Sequence, residues 1–85
     1  KAASSVSSKI DLRGKTIEEA ILDLDKYFDD CILFGMNEAT VIHGKGTGML
    51  KKGLREHMKK HPHIASMRDG ALNEGADGVT IVRFR

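Results

Sequence analysis

Apolar positions along the chain change from a period of two to a period of three to four and back, which predicts strands alternating with helices. In KIDLRG, Ile10 and Leu12 point to one side and Asp11 and Arg13 to the other. This alternation is typical of a short, half-buried strand, closed here by Gly14. The stretch EATVIHG predicts a second strand. Because it is more apolar than the first, we expect it at the centre of a sheet.

The stretch TIEEAILDLDKYFDDCILFG has the spacing of a long amphipathic helix. Thr16, followed three residues later by Glu19, forms a capping box in which two side chains satisfy free backbone amides at the helix start. Gly35 is expected to end the helix. Apolar side chains at steps of three and four form one face, at Ile17, Ile21, Leu24, Phe28 and Cys31.

A second helix is predicted after a glycine-rich stretch, since Leu50, Leu54 and Met58 repeat every four residues and Pro62 ends the pattern. IASMR and GVTIVRFR predict two further strands, joined by the glycine-rich DGALNEGADG. The order β-α-β-α-β-β predicts an α+β fold, a two-layer sandwich. Right-handed crossovers should place both helices on one face of a mixed four-stranded sheet.

The first eight residues, KAASSVSS, are small and polar and have no period, which is typical of a flexible linker. We therefore divide the chain into a linker, residues 1–8, and one domain, residues 9–85. The linker, together with a first residue that is Lys rather than Met, predicts that the domain is part of a larger protein.

Composition excludes several classes of protein. No apolar run approaches the length of a membrane span, so no membrane partner is expected. Cys31 is the only cysteine, so it forms no internal disulfide and is expected to be a reduced core thiol. His57, His61 and His63 lack cysteine partners, which favours a His-rich helix end over a zinc site.

Charge is unevenly distributed although the formal net charge is only +2. Residues 16–40 hold seven acids against one base, and residues 43–63 hold six bases against one acid. A helical wheel places the bases of the second helix on one arc, the basic ridge, formed by Lys51, Lys52, Arg55 and Lys59. The ridge is either a polyanion-binding face or an ordinary solvated flank. The acidic first helix alternatively suggests a protein-interaction surface.

Candidate chemistry converges where the first two strands end. The helical crossover makes these strands parallel, so their carboxyl ends meet at one edge of the sheet, where α/β proteins bind ligands. Asp11 and Arg13 end the first strand and His43 ends the second. The loop that follows, with its flanking histidine, reads HGKGTG and leads to a helix start, with residues Gly44, Lys45, Gly46, Thr47 and Gly48.

Each residue type at this edge suits a phosphodiester. Glycines let backbone amides approach phosphate oxygens, and a helix N-terminus adds positive potential. Lys45 can stabilise charge in the transition state, and Arg13 can bind a phosphate oxygen. His43 can transfer a proton, and Asp11 can orient that imidazole or hold a divalent metal.

Plainer interpretations exist for each of these residues. Taken singly, a histidine at a strand end is more often a structural residue whose hydrogen bonds are satisfied, and Asp11 and Arg13 are consistent with a surface ion pair. The glycines alone also fit a permissive turn. The convergence of these features at one edge of the sheet favours the functional interpretation. The Walker loop and the dinucleotide-binding loop require other glycine spacings, so no nucleotide cofactor is expected.

Three stretches resemble one known family. IDLRG, VIHGKGTGMLKKGL and GVTIVRF are similar to the Smr (small MutS-related) domain, and the resemblance extends from Lys9 to Arg85. The linker and the Arg of DLRG resemble the branch found at the C-terminus of bacterial MutS-like proteins of the second, non-mismatch-repair type. The resemblance implies a βαβαββ sandwich similar to the C-terminal domain of bacterial translation initiation factor three.

The resemblance also implies function. It points to a nicking endonuclease that acts on DNA with little sequence preference, often stimulated by a divalent metal such as Mg²⁺ or Mn²⁺. It further implies a bacterial, cytoplasmic, dimeric parent ATPase that suppresses recombination or acts on ribosomes, with an isolated domain that is a monomer. By position, the matching residues are Asp11, Leu12 and Arg13, then His43 to Gly48.

Two departures from the family pattern bear on the site. Where relatives often have paired glycines before the last strand, this chain has EGADGVT, which adds Asp77 near the edge. Many relatives have His at position 13, so Arg13 leaves His43 as the only histidine of the constellation. The competing hypothesis is a module that binds DNA, RNA or the ribosome without cutting.

Overall fold

The computed structural model describes residues 6–85, which form four strands and two helices in the predicted order. Two short 3-10 turns, Leu72–Glu74 and Ala76–Gly78, lie in the predicted glycine-rich connection. Residues 1–5 of the predicted linker lie outside the described part of the chain. The elements are β1 (Lys9–Asp11), α1 (Ile17–Leu33), β2 (Glu38–Ile42), α2 (Met49–Lys59), β3 (Ile64–Asp69) and β4 (Val79–Phe84).

The predicted start and end of α1 are both confirmed. The amide of Glu19 donates to Thr16 Oγ1 over 3.2 Å, and the amide of Thr16 donates to the Glu19 carboxylate over 3.0 Å. Phe34 caps the other end, and Gly35 follows with a φ of 71°.

Cys31 is a free, buried cysteine, and burial raises the pKa of its thiol, which makes it unreactive at neutral pH.

The sheet has the order β1-β2-β4-β3. β1 and β2 are parallel, whereas β4 is antiparallel to both β2 and β3. β2 therefore lies inside the sheet, as its apolar sequence predicts. The carboxyl ends of β1 and β2 meet at the edge where β4 begins, since Asp11 pairs with Ile42 and Ile42 with Val79.

One core joins the two helices to one face of the sheet. Leu24 and Phe28 of α1, Leu54 and Met58 of α2 and Val82 of β4 belong to the same buried cluster. The helices also contact each other directly, because His57 of α2 and the Asp25 carboxylate of α1 are 2.7 Å apart. This is the predicted two-layer arrangement. Within residues 6–85, no helix is long and apolar enough to cross a lipid bilayer.

Residues 6–8, in the predicted linker, contact the domain. Val6 packs against the core, the Tyr27 hydroxyl donates to the Ser7 carbonyl, and the Thr40 amide donates to the Ser8 carbonyl over 2.9 Å. These bonds continue the hydrogen bonding between the short strand β1 and its neighbour β2. That the domain is part of a larger protein stays a prediction.

Candidate nucleic-acid interface

The loop of residues 43–48 is held against the start of β4. The amides of His43 and Gly44 both donate to the Gly78 carbonyl, over 3.2 and 2.9 Å. Gly44 has a φ of +77°, and a Cβ atom built on it would lie 3.3 Å from Cγ of Arg13. The two stretches that the sequence singles out, DLRG and HGKGTG, are therefore in contact. A Cβ at position 44 would require the Arg13 side chain to shift by a few tenths of an ångström, and the positive φ there favours glycine.

Backbone donors in this loop remain available to a ligand. Within residues 6–85, the amides of Lys45, Gly46 and Thr47 donate to no protein acceptor. Gly48, the N-cap of α2, provides no side-chain hydrogen bond, and the first turn of α2 holds no acidic residue. The one side-chain acceptor at this end is the neutral Thr47 hydroxyl, which takes the Met49 amide at 3.3 Å. The positive end of the helix dipole is thus not neutralised by a side chain, which favours an anion there. We call residues 45–48 and the first turn of α2 the amide cradle.

Two cations flank the amide cradle, and each is paired with an acid. Lys45 is 69% exposed, and its Nζ lies 3.4 Å from the Asp77 carboxylate. Arg13 donates from Nε and Nη2 to the two oxygens of Asp11, over 2.9 and 2.7 Å. Asp77 is the acid that distinguishes EGADGVT from the family pattern, and it lies where it competes with a ligand for Lys45. Both ion pairs are exposed, so a phosphate can replace either carboxylate as the partner of the cation.

Asp11 is not the partner of His43. Its carboxylate also accepts the Arg13 amide over 3.1 Å, and these bonds to Arg13 lower its pKa to about 2. Strand alternation directs Asp11 to the sheet face opposite the helices, whereas His43 follows the helix-facing Val41. The expected Asp11–His43 contact is therefore absent, and the surface ion pair is the arrangement that the chain adopts.

His43 is only 5% exposed, and both of its ring nitrogens have partners. Nδ1 lies 2.9 Å from the Gly44 carbonyl, and Nε2 lies 2.9 Å from Oγ1 of Thr80. Burial lowers the pKa of this imidazole, opposed by the hydrogen bond to Gly44. A buried ring with both nitrogens occupied is what the structural interpretation of this histidine predicts.

The basic ridge divides into two pairs. Lys51 and Arg55 both contact the Asp69 carboxylate, and their side chains are only 24% and 27% exposed. Lys52 and Lys59 are exposed and form no ion pair among the described residues. The second pair is thus free for a polyanion, whereas the first is part of the folded framework.

Thr80 and Asp69 are site residues that the sequence analysis does not identify. Thr80 is fully buried on β4, and Asp69 ends β3. The only signal for Thr80 is a hydroxyl on the core-facing alternation of GVTIVRF, where an apolar residue is expected. The partners of Thr80 and Asp69 depend on the register between strands that are far apart in the sequence.

The metal predicted at Asp11 does not fit the residues around it. Both carboxylate oxygens bind Arg13, and among residues 6–85 no three His, Cys, Asp or Glu side chains group to hold an ion. Divalent cations require several oxygen ligands. A metal at this edge stays a prediction from the family resemblance.

Relatives of known sequence match nearly the whole chain. It is 51% identical over 85 residues to Endonuclease MutS2 of Finegoldia magna, an alignment that covers 100% of this chain and 11% of the relative. For Endonuclease MutS2 of Caldicellulosiruptor saccharolyticus the identity is 53% over 81 residues, or 95% of this chain and 10% of the relative. The chain therefore spans about a tenth of the length of these relatives.

Two solved structures share the fold over nearly the whole chain. The Smr domain of Thermus thermophilus MutS2 superposes with a TM-score of 0.89 at 35% identity, over 93% of this chain and 99% of that chain. YdaL, a stand-alone small MutS-related protein from Escherichia coli, shares the fold, with a TM-score of 0.88 at 14% identity over 98% of this chain and 70% of that chain. The sequence profile of the Smr domain matches residues 10–85. The chain belongs to the Smr domain family.

Proposed function

We propose that this domain is an endonuclease that nicks DNA by hydrolysing a phosphodiester bond, with little sequence specificity. The observation that carries the proposal is the amide cradle, with unpaired amides at Lys45, Gly46 and Thr47 beside a helix start that has no acidic residue in its first turn. Such donors fit phosphate oxygens and read no base edges. The name of its relatives, Endonuclease MutS2, agrees with this chemistry.

The proposed reaction uses this chain's own groups to bind and stabilise phosphate. Loop amides and Lys45 would contact the non-bridging oxygens, whose charge grows as the attacking oxygen approaches phosphorus. Arg13 would leave Asp11 in part and donate to the same phosphate. Asp11 stays ionised at neutral pH even without these bonds, because the ordinary pKa of its carboxyl group is 3.8. Its carboxylate is then available to orient a water molecule.

One observation favours a second candidate, a module that binds DNA or RNA without cutting. His43, the histidine at this edge, has both ring nitrogens occupied and is buried. In this arrangement it has no free nitrogen to take a proton from water. A phosphate-binding loop and the exposed Lys52 and Lys59 serve binding alone equally well, including binding to ribosomal RNA.

The experiment that separates the two is a nicking assay on supercoiled plasmid, repeated with a structured RNA, in Mg²⁺, Mn²⁺ and EDTA. We expect the wild-type domain to nick and Lys45→Ala to nick at least about tenfold more slowly. Lys9→Ala is the matched control, because Lys9 is an exposed lysine that belongs neither to the amide cradle nor to the basic ridge. Binding without nicking in all conditions would support the second candidate. Nicking that is equal in wild type and Lys45→Ala would contradict the site.

A further inference from the structure

A continuous chain of hydrogen bonds runs from β3 to the HGKGTG loop behind the amide cradle. Arg55 contacts the Asp69 carboxylate through Nη2, and its Nε donates to Thr80 Oγ1 over 3.0 Å. Thr80 Oγ1 is 2.9 Å from His43 Nε2, and His43 Nδ1 is 2.9 Å from the Gly44 carbonyl. Thr80 is fully buried and His43 nearly so, so water does not substitute for these partners.

The donor at one end of this hydrogen-bond series, Arg55, and the acceptor at the other, the Gly44 carbonyl, fix the position of every proton between them. Arginine Nε only donates and a carbonyl oxygen only accepts. His43 must therefore carry its proton on Nδ1, facing Gly44. Thr80, which already accepts from Arg55, satisfies all groups by donating its hydroxyl hydrogen to the bare Nε2. The chain is complete only with a neutral imidazole in the Nδ1–H form.

We propose that Thr80 is a positioning residue, which holds His43 as a neutral Nδ1–H imidazole and thereby fixes the Gly44 carbonyl and the orientation of the loop amides. His43 then acts as part of the same support rather than as a proton-transfer group. Gly44 directly precedes Lys45, so rotation of the Gly44 peptide would also turn the Lys45 amide. An effect of Thr80 on catalysis rests on the proposed nuclease function, whereas its effect on the orientation of the loop does not.

The same series of hydrogen bonds indicates that Arg55 and Asp69 stabilise the structure around the site. Arg55 donates to both Thr80 and Asp69, and Lys51 shares Asp69 at 2.9 Å. These contacts join α2, β3 and β4 behind the loop. Two residues of the basic ridge thus position the site from behind, while Lys52 and Lys59 face solvent.

The test compares Thr80→Val, which removes the hydroxyl but keeps the branched shape, with Thr80→Ser, which keeps the hydroxyl. Imidazole ¹⁵N spectra of the wild type should show the Nδ1–H form at His43, and Thr80→Val should change that signature while Thr80→Ser preserves it. In backbone spectra the amides of Lys45, Gly46 and Thr47 should move in Thr80→Val and return in Thr80→Ser. In the nicking assay, Thr80→Val should lower kcat by about tenfold or more with KM changed by less than about threefold.

Each outcome decides something, provided that both variants are measured well below their unfolding midpoints. An Nε2–H form in the wild type, or loop amides that are unmoved in Thr80→Val, overturns the positioning role. A rise in KM with kcat unchanged also overturns it, because that pattern reports lost binding only. If the wild type does not nick, the proposed function fails, while the two spectra still decide the role of Thr80.

Discussion

His43 couples the folding of the domain to pH, because burial lowers the pKa of its imidazole below the ordinary value of 6.5. Lys51 and Arg55 of α2 lower this pKa further, while Asp69 of β3 raises it. As pH falls below 6.5, the unfolded chain takes up a proton that the folded domain does not. The free energy of unfolding should therefore decrease from about pH 6.5 down to the folded pKa, and level off below it.

Urea unfolding between about pH 7 and pH 5 measures this slope. The His43→Asn variant, which cannot titrate there, should lose this contribution to the slope even though its overall stability is lower. His63→Asn is the control, since His63 is exposed beyond the end of α2. An identical slope in wild type and His43→Asn would show that His43 does not carry the effect.

The limits of sequence reasoning are clear at this scale. The positions of Asp11, Arg13 and His43 at strand ends follow from alternation, and their ion pair and satisfied ring are among the interpretations that the sequence leaves open. Their partners do not follow, because His43 meets a hydroxyl 37 residues away in the chain. That pairing depends on the register of β2 against β4, which alternation alone does not fix.

Among the elements, the loop between β2 and α2 depends on a backbone shape that few residues adopt. Gly44 has a φ of +77° and Gly14 a φ of +80°, but only a Cβ on Gly44 would meet Arg13, at 3.3 Å. Alanine at either position should cost about 1–2 kcal/mol of unfolding free energy, because both need the left-handed region. Only Gly44→Ala should also force the Arg13 side chain to shift, by a few tenths of an ångström, where it contacts the loop.

Chemical denaturation and the nicking assay together test this difference. We expect the two alanine variants to unfold with similar free energies, and Gly44→Ala alone to lose nicking by about tenfold. Gly14→Ala serves as the matched control because a Cβ there meets nothing within 4 Å. Equal loss of nicking in both variants would mean that backbone strain alone, and not contact with Arg13, accounts for the effect.

Long, regular elements are the ones that the sequence predicts well. The capping box, the apolar face of α1 and the apolar run of β2 all favour the same structure locally and globally. The connection after β3 is harder to predict, because ALNEGAD has neither the period of a helix nor the alternation of a strand. Its 3-10 turns instead depend on local bonds such as that from the Ala71 amide to the Glu74 carboxylate, at 2.8 Å. The irregularity in β3 between Ile64 and Ser66 likewise has no signal in the alternation.

At the scale of the whole molecule, the order of elements and their short connections leave few topologies, which is why the two-layer sandwich is predictable. Charge is less predictable than fold. The sequence places four cations on one arc of α2, but Asp69, from β3, forms ion pairs with both Lys51 and Arg55. Only the folded structure shows that Lys51 and Arg55 of the ridge are paired, whereas Lys52 and Lys59 are exposed and form no ion pair among the described residues.

This division predicts how binding to DNA depends on salt. Cations that replace counterions on phosphates give log K a slope against log salt of about −0.9 per contact. Lys52→Ala and Lys59→Ala should therefore each reduce the steepness by about 0.9. Lys51→Ala should reduce it less, because Lys51 already pairs with Asp69 at 2.9 Å. Fluorescence anisotropy of a short labelled duplex, titrated at several salt concentrations from about 50 to 200 mM, gives each slope.

The comparison among the three lysines is internally controlled, since all lie on one helix of 11 residues and each variant removes one charge. A uniform, long-range effect of net charge would reduce all three slopes equally, and this result would contradict the division of the ridge. Lys9→Ala, on β1 and outside the basic ridge, should leave the slope unchanged. A larger change for Lys51→Ala than for Lys52→Ala would mean that DNA displaces Asp69 from Lys51. In that case the phosphates would reach the half of the ridge that also supports Thr80 and His43.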